Sequence, residues 1–189
     1  MEKSADIVDR RCATMMRPED AGKSRIMTDL KLDPIDLRIL AEIQRDGRIT
    51  KLALADRVGL SPTPCWVRLR RLEQAGIVTG YHARLALRQV TPFAMVMVEV
   101  TLGAHRQSDF DRFERAVRDE PHIVSCWSVG GGLDYILRVV ARDVDAYQRI
   151  IDRLLESEVG IDRYFTYIVT RTVKDEPAMP LDALIGGED

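Results

Sequence analysis

Apolar residues recur at helical spacing three times between residues 32 and 75, and the second half alternates apolar strands with two amphipathic helices. Asp33 followed by Pro34 marks a helix start: proline at the first helical position gives up an N–H that has no intrahelical acceptor there. Ile35, Ile39, Leu40 and Ile43 then repeat on one helical face until Gly47. Thr50 caps a second, short helix that runs to about Val58, with Leu54 and Val58 one turn apart, and Gly59 ends it. Ser61 opens a third helix over 62–75, with Pro62 and Pro64 in the tolerant first turn. At about 100° per residue, Cys65, Leu69 and Leu72 fall on one narrow face, the core face. The opposite face carries Thr63, Pro64, Val67, Arg70, Arg71 and Gln74, with Trp66 and Arg68 on the flanks. After Gly76, residues 77–85 read as a turn between two short strands. Three short helices, a tight turn at 58–61 and a hairpin make a winged helix-turn-helix.

The second half changes period. Residues 93–101 form a continuous apolar strand, in which Met95 and Met97 share a face and are expected in the core. Phe110, Phe113 and Val117 then mark an amphipathic helix over about 109–117. Strands follow at 123–129 and 133–140, joined by Gly130-Gly131-Gly132. Tyr147, Ile150, Ile151 and Leu154 define a helix over about 144–155, and 164–169 is a last strand. The order βαββαβ is the ferredoxin-like split motif, whose open sheet favours pairing with a second copy. The fold class is α+β: a winged helix-turn-helix domain over 32–93, then a ferredoxin-like domain over 94–175. Residues 1–31 show no sustained periodicity and are expected to be a flexible extension. Within it, 1–26 read as an upstream start or leader, with a regulatory arm as the rival reading. Residues 176–189 are expected to be a mobile tail.

Composition adds exclusions. Of 189 residues, 46% are hydrophobic, and no apolar run is long enough to span a bilayer. The first twenty residues have no apolar signal core. Cys12, Cys65 and Cys126 are odd in number and never CxxC, pointing to a reduced cytoplasm without disulfides or structural zinc. His82, His105 and His122 lack ligand spacing, and no catalytic or dinucleotide fingerprint appears, so neither metal, cofactor nor enzymatic activity is expected. Cys65 sits on a core face. Cys126, beside Trp127, is a minor candidate for thiol sensing. The formal net charge of -2 argues against nucleic acid, but it hides an asymmetry. Residues 32–84 hold nine Lys and Arg against six Asp and Glu, a net of +3, whereas 90–175 hold eleven against fourteen, a net of −3. A basic segment containing a helix that fits the major groove, with arginines outward, has the physics of a DNA reader. A helix N-terminus adds backbone N–H groups for phosphate.

The string Val58-Gly59-Leu60-Ser61-Pro62-Thr63-Pro64-Cys65 is highly specific. With Leu32-Asp33-x-x-Asp36-x-x-Ile39-Leu40, Asp46-Gly47-Arg48, Arg68-x-Arg70-Arg71-Leu72-Glu73 and Gly76-Ile77-Val78-x-Gly80-Tyr81, it resembles the Lrp/AsnC (feast/famine) transcription regulators. Gly131-x-x-Asp134-Tyr135 and Tyr164-x-Thr166-Tyr167 carry the likeness through the second half, so it covers about 32–175. The resemblance implies a sequence-specific regulator of amino-acid or related nitrogen metabolism. It would bind palindromic double-stranded DNA through a helix-turn-helix at about 51–70. The implied DNA contacts are Lys51, Ser61, Thr63, Pro64, Trp66, Val67, Arg68, Arg70 and Arg71. It also implies homodimers assembling further, to octamers, and an amino-acid effector at a loop matching 130–134. Ser128, Gly130, Gly131, Gly132, Asp134 and Thr166 are the candidate effector residues. Their chemistry suits an amino acid: open glycine N–H groups for a carboxylate and Asp134 for an ammonium. The plain alternative is a hairpin turn that Asp134 helps to close. The loop lacks the polar or aromatic side chains some relatives place there, which leaves the ligand's identity open. Two further readings stand beside the regulator: an architectural, nucleoid-like DNA binder, and a ferredoxin-like enzyme with a DNA-binding arm.

Overall fold

The computed structural model describes residues 30–176 and 178–185. The extension expected over 1–31 therefore lies outside the described residues except for Leu30 and Lys31. Two compact units form. One takes the chain as far as Ala83 and again from Glu176, and the other is Arg84–Asp175.

The first unit holds α1 (Pro34–Arg45), α2 (Lys51–Val58) and α3 (Pro62–Gln74). The Asp33 side chain accepts from the Ile35 and Asp36 amides, and the Asp36 side chain accepts from the Asp33 amide, a reciprocal capping box. Thr50 caps α2 through the Ala53 amide. Gly59 closes α2 at φ 73°, a left-handed position that favours glycine. The Leu60 amide then donates to Ala55 O and turns the chain into α3. Ile39, Leu40, Ile43, Leu54, Val58, Cys65, Leu69 and Leu72 form the core, so the predicted inner face of α3 is the observed one. Burial alone raises the Cys65 thiol above its ordinary value, as suits a core cysteine.

Two expectations fail in this unit. No strand forms at 77–85: the Ile77 and Val78 amides both donate to Leu72 O, both side chains lean on the core, and 79–90 stay exposed and outside any sheet. Nor is the described part of the C-terminal segment a loose tail. The Met179 amide donates to Gln44 Oε1 at 2.8 Å, Leu181 packs on the core, and α6 (Leu181–Ile185) follows. The apolar groove between α1 and 77–82 gives it a seat.

The second unit contains β1 (Ala94–Leu102), α4 (Gln107–Asp119), β2 (Ile123–Ser128), β3 (Tyr135–Ala141), α5 (Val144–Glu156) and β4 (Ile161–Ile168). The sheet order is β2-β3-β1-β4 and every pairing is antiparallel, the predicted split motif. Val96, Val98, Val100 and Leu102 alternate into a core with Phe113, Val117, Tyr147 and Ile151. Met95 and Met97 therefore point the other way, onto the face without helices, where they are half-buried. A continuous apolar run gives both faces of a strand the same appearance, so its pattern does not say which side is covered. The boundary also moves earlier than the expected 93/94. Arg84 bonds the Asp175 carbonyl, and the Arg88 guanidinium lies 4.8 Å from the Phe93 ring centre, so 84–93 belong with the sheet.

Candidate functional site

The outer face of α3 is built by what its inner face fixes. With Cys65, Leu69 and Leu72 buried, Thr63, Pro64, Val67 and Arg70 are exposed. Pro62 and Pro64 carry no N–H and the Cys65 amide donates to Ser61 O, so the first turn offers one helical amide, that of Thr63. The Ser61 side chain stands at the cap position without a capping bond.

The basic residues fall into two kinds. Arg68 Nη1 lies 2.6 Å from Asp33 Oδ2 and 2.9 Å from Asp36 Oδ1, and Arg71 Nη2 lies 2.5 Å from Asp36 Oδ2. Asp36 is 0% exposed, so both arginines are braces that tie α3 to α1. Sequence reasoning placed Arg71 on the open face and gave Asp36 no role. The signal was there: Asp36 is three, four and seven residues before Ile39, Leu40 and Ile43, on the buried stripe of α1. The bonds to Asp33 and Asp36 hold the Arg68 guanidinium even more firmly protonated. Arg57 is likewise committed, 2.9 Å from Glu42. Lys51 and Arg70 are the other kind. Lys51 Nζ lies 3.4 Å and Arg70 Cζ 4.6 Å from the centre of the Trp66 ring. Arg70 has only a long 3.7 Å approach to Glu73, and both cations are exposed.

In the second unit, residues 129–134 join β2 to β3. The Val129 amide donates to Asp134 O, and the Asp134 amide donates to Val100 O. The Asp134 carboxylate accepts from the Leu102 amide at 2.7 Å and faces His105 Nε2 at 3.1 Å. Gly131 sits at φ 138°, beyond the reach of ordinary side chains, and no atom lies within 4 Å of a side chain built at Gly130, Gly131 or Gly132. The loop is therefore an open rim. Ser128 is exposed beside it at the end of β2. Thr166 is elsewhere: it lies on β4, two strand spacings or about 10 Å from β3, with its hydroxyl 2.5 Å from that of Tyr147. One protomer thus gathers Ser128, Gly130–Gly132 and Asp134 but leaves Thr166 apart. Burial and then the Glu114 charge push the Cys126 thiol up to about 11, which keeps it protonated and unreactive near neutrality. Among the described residues no cluster of His, Cys, Asp or Glu could hold a metal ion. No described helix is long and apolar enough to cross a membrane.

A helix-turn-helix with an outward basic face, joined to a separate α+β unit with an open glycine rim, defines a ligand-responsive transcriptional regulator. Residues 32–79 match a winged helix-turn-helix DNA-binding domain, and 95–179 match the Lrp/AsnC ligand binding domain. The transcriptional regulatory protein DoeX of Halomonas elongata is 52% identical over 145 residues, 77% of this chain and 92% of that protein. The leucine-responsive regulatory protein of Escherichia coli is 41% identical over 143 residues, 76% of this chain and 87% of that one. A transcriptional regulator from Neisseria meningitidis, solved in complex with L-Met, superposes with a TM-score of 0.76 at 32% identity. That match covers 82% of this chain and all (100%) of that one. The chain belongs to the Lrp/AsnC family of transcriptional regulators.

Proposed function

We propose that this regulator reads a palindromic double-stranded operator with the outer face of α3, in response to an amino acid taken at the 128–134 rim. The observation that carries the reading is the division of labour on α3. Its inner face is buried, two of its arginines are spent on bracing, and its exposed Thr63, Pro64, Val67 and Arg70 form a free surface flanked by Lys51. Arg70 has the reach and fork geometry for guanine edges or phosphate, while Thr63 and Val67 offer methyl groups for thymine.

The effector class draws support from the Neisseria relative, which binds L-Met. At the rim, the ammonium group of an amino acid would compete with His105 for Asp134 Oδ1, the oxygen the Leu102 amide leaves open. Its carboxylate would meet the glycine N–H groups. A thermal-shift screen of the twenty amino acids tests this. A ligand at 100 times its dissociation constant stabilises by about 2.7 kcal/mol. No shift with any of them contradicts an amino-acid effector.

The working unit is a homodimer that assembles further, towards an octamer. The helix-free sheet face supports this reading: Trp127, Phe165 and Tyr167 are about half exposed there, and Arg138 Nε on the same face is buried without an acceptor. A second copy would cover the first three and supply the acceptor. The chain regulates transcription without catalysing a reaction, in keeping with relatives that are named as regulators.

A further inference from the structure

The cations on the DNA-facing side are held by two different means, and this difference has a functional consequence. Carboxylates hold Arg57, Arg68 and Arg71. A phosphate that used any of these three would have to break or share a short charge-assisted bond, and the pair presents little net charge to attract it. Lys51 and Arg70 are held by a ring, with the Glu73 carboxylate only at a long 3.7 Å from Arg70. An indole face orients a cation by its quadrupole yet leaves its whole charge for outside anions. Both cations approach one ring, Lys51 from the first residue of α2 and Arg70 one turn along α3. They are therefore no more than about 8 Å apart despite their mutual repulsion. Trp66 itself is anchored, since it packs against the helical core. Long cationic side chains lose rotamer freedom when they are fixed, so prior orientation lowers what DNA binding must spend on ordering them.

We propose that Trp66 is a positioning residue for DNA binding: its anchored ring pre-orients Lys51 and Arg70, neither of them held by a short ion pair, as a cation pair for the DNA backbone. This rests on the reading that α3 is the DNA-reading helix. Trp66 itself touches no phosphate. It acts through the two cations, which move from the ring to the DNA when the duplex docks.

The test is fluorescence anisotropy of a labelled duplex, selected from genomic DNA by the full chain, titrated across a salt series. Lys51→Ala and Arg70→Ala should each lower the slope of log affinity against log salt by about one. Trp66→Ala should weaken binding about tenfold, Trp66→Phe should restore most of it, and Trp66→Ala should add little to the Lys51→Ala/Arg70→Ala double variant. Wild-type affinity for Trp66→Ala alongside weakened Lys51→Ala and Arg70→Ala overturns the positioning role and leaves the α3 reading standing. Wild-type affinity for Lys51→Ala and Arg70→Ala overturns both. Should Trp66→Ala not fold, the Trp127→Phe chain leaves Trp66 as its only tryptophan. In it, Lys51→Ala, Arg70→Ala and added duplex should each change the Trp66 emission, and unchanged emission in all three overturns the proposal.

Discussion

Asp36 is a carboxylate on the apolar stripe of α1, with no solvent exposure and three charged or amide donors around it. Such a group is tolerated only because it is fully bonded. Asp36→Ala removes the shared acceptor of Arg68 and Arg71, and should lower the unfolding free energy by about 1.5–3 kcal/mol in urea denaturation. Arg70→Ala loses a ring contact and a long, exposed pair with Glu73, and should leave that free energy within about 0.5 kcal/mol. The neighbouring cap gives a pH signature. The Asp36 amide, and then Arg68, hold the Asp33 carboxyl below its ordinary value of 3.8. Hydrogen bonding and charge from Arg57 lower Glu42 likewise, and the Ala146 amide and then Arg142 lower Asp143. A carboxyl more acidic in the folded chain stabilises it fully above the unfolded-chain value, and that stability is lost as pH falls through the folded value. Melting temperature should therefore fall in acid, and Asp33→Asn, which keeps a capping oxygen but loses the charge, should make that fall shallower. Asp33 as a cap was legible from its place before Pro34. The burial of Asp36 was legible on the α1 stripe, but its pairing with Arg68 and Arg71 was not, because a helical wheel records direction and says nothing of a carboxylate arriving from another helix.

The helices were read closely because each is bounded by residues with one physical meaning: Asp33 and Pro34 at a start, Gly59 at a stop, and Cys65, Leu69 and Leu72 on one stripe. The hairpin expected at 77–85 failed for the complementary reason. β-branched residues such as Ile77 and Val78 favour strands only when a partner strand exists, and here they cover a core edge instead. The glycine rim was located by its sequence, but two roles proved to share Asp134. It closes the turn through the Leu102 amide and leaves its other oxygen to His105. Two variants probe the rim. Gly131→Ala, at φ 138°, should cost about 1–3 kcal/mol of stability through backbone strain. Asp134→Ala should lower the melting temperature of the free protein and also abolish the shift produced by whichever amino acid binds. Retention of that shift would remove Asp134 from the effector site.

At the scale of the molecule, the charge of -2 made DNA binding look unfavourable, and division of the chain reversed that. The structure refines the point further. Much of the positive charge of the first unit is paired with Glu42, Asp33 and Asp36, so the surface available to DNA is narrower than the +3 suggested. The open sheet face was implied by the βαββαβ order, although its residues were not legible: Met95 and Met97 lie on it rather than in the core. A charge there should be tolerated by the protomer and rejected by the proposed dimer. Met97→Glu should shift the sedimentation coefficient to that of a monomer while leaving the circular dichroism spectrum unchanged; a dimer that persists would place the interface elsewhere. The central claim is that α3 reads sequence, and it meets its most direct test in the ratio of affinities for a genomically selected duplex and a scrambled duplex of the same composition, at one salt concentration. The expected result is a preference on the order of 10³ or more for the selected duplex, which Arg70→Ala retains while its affinity for both duplexes falls. Equal affinity for the two duplexes would contradict it and leave an architectural DNA-binding protein in its place.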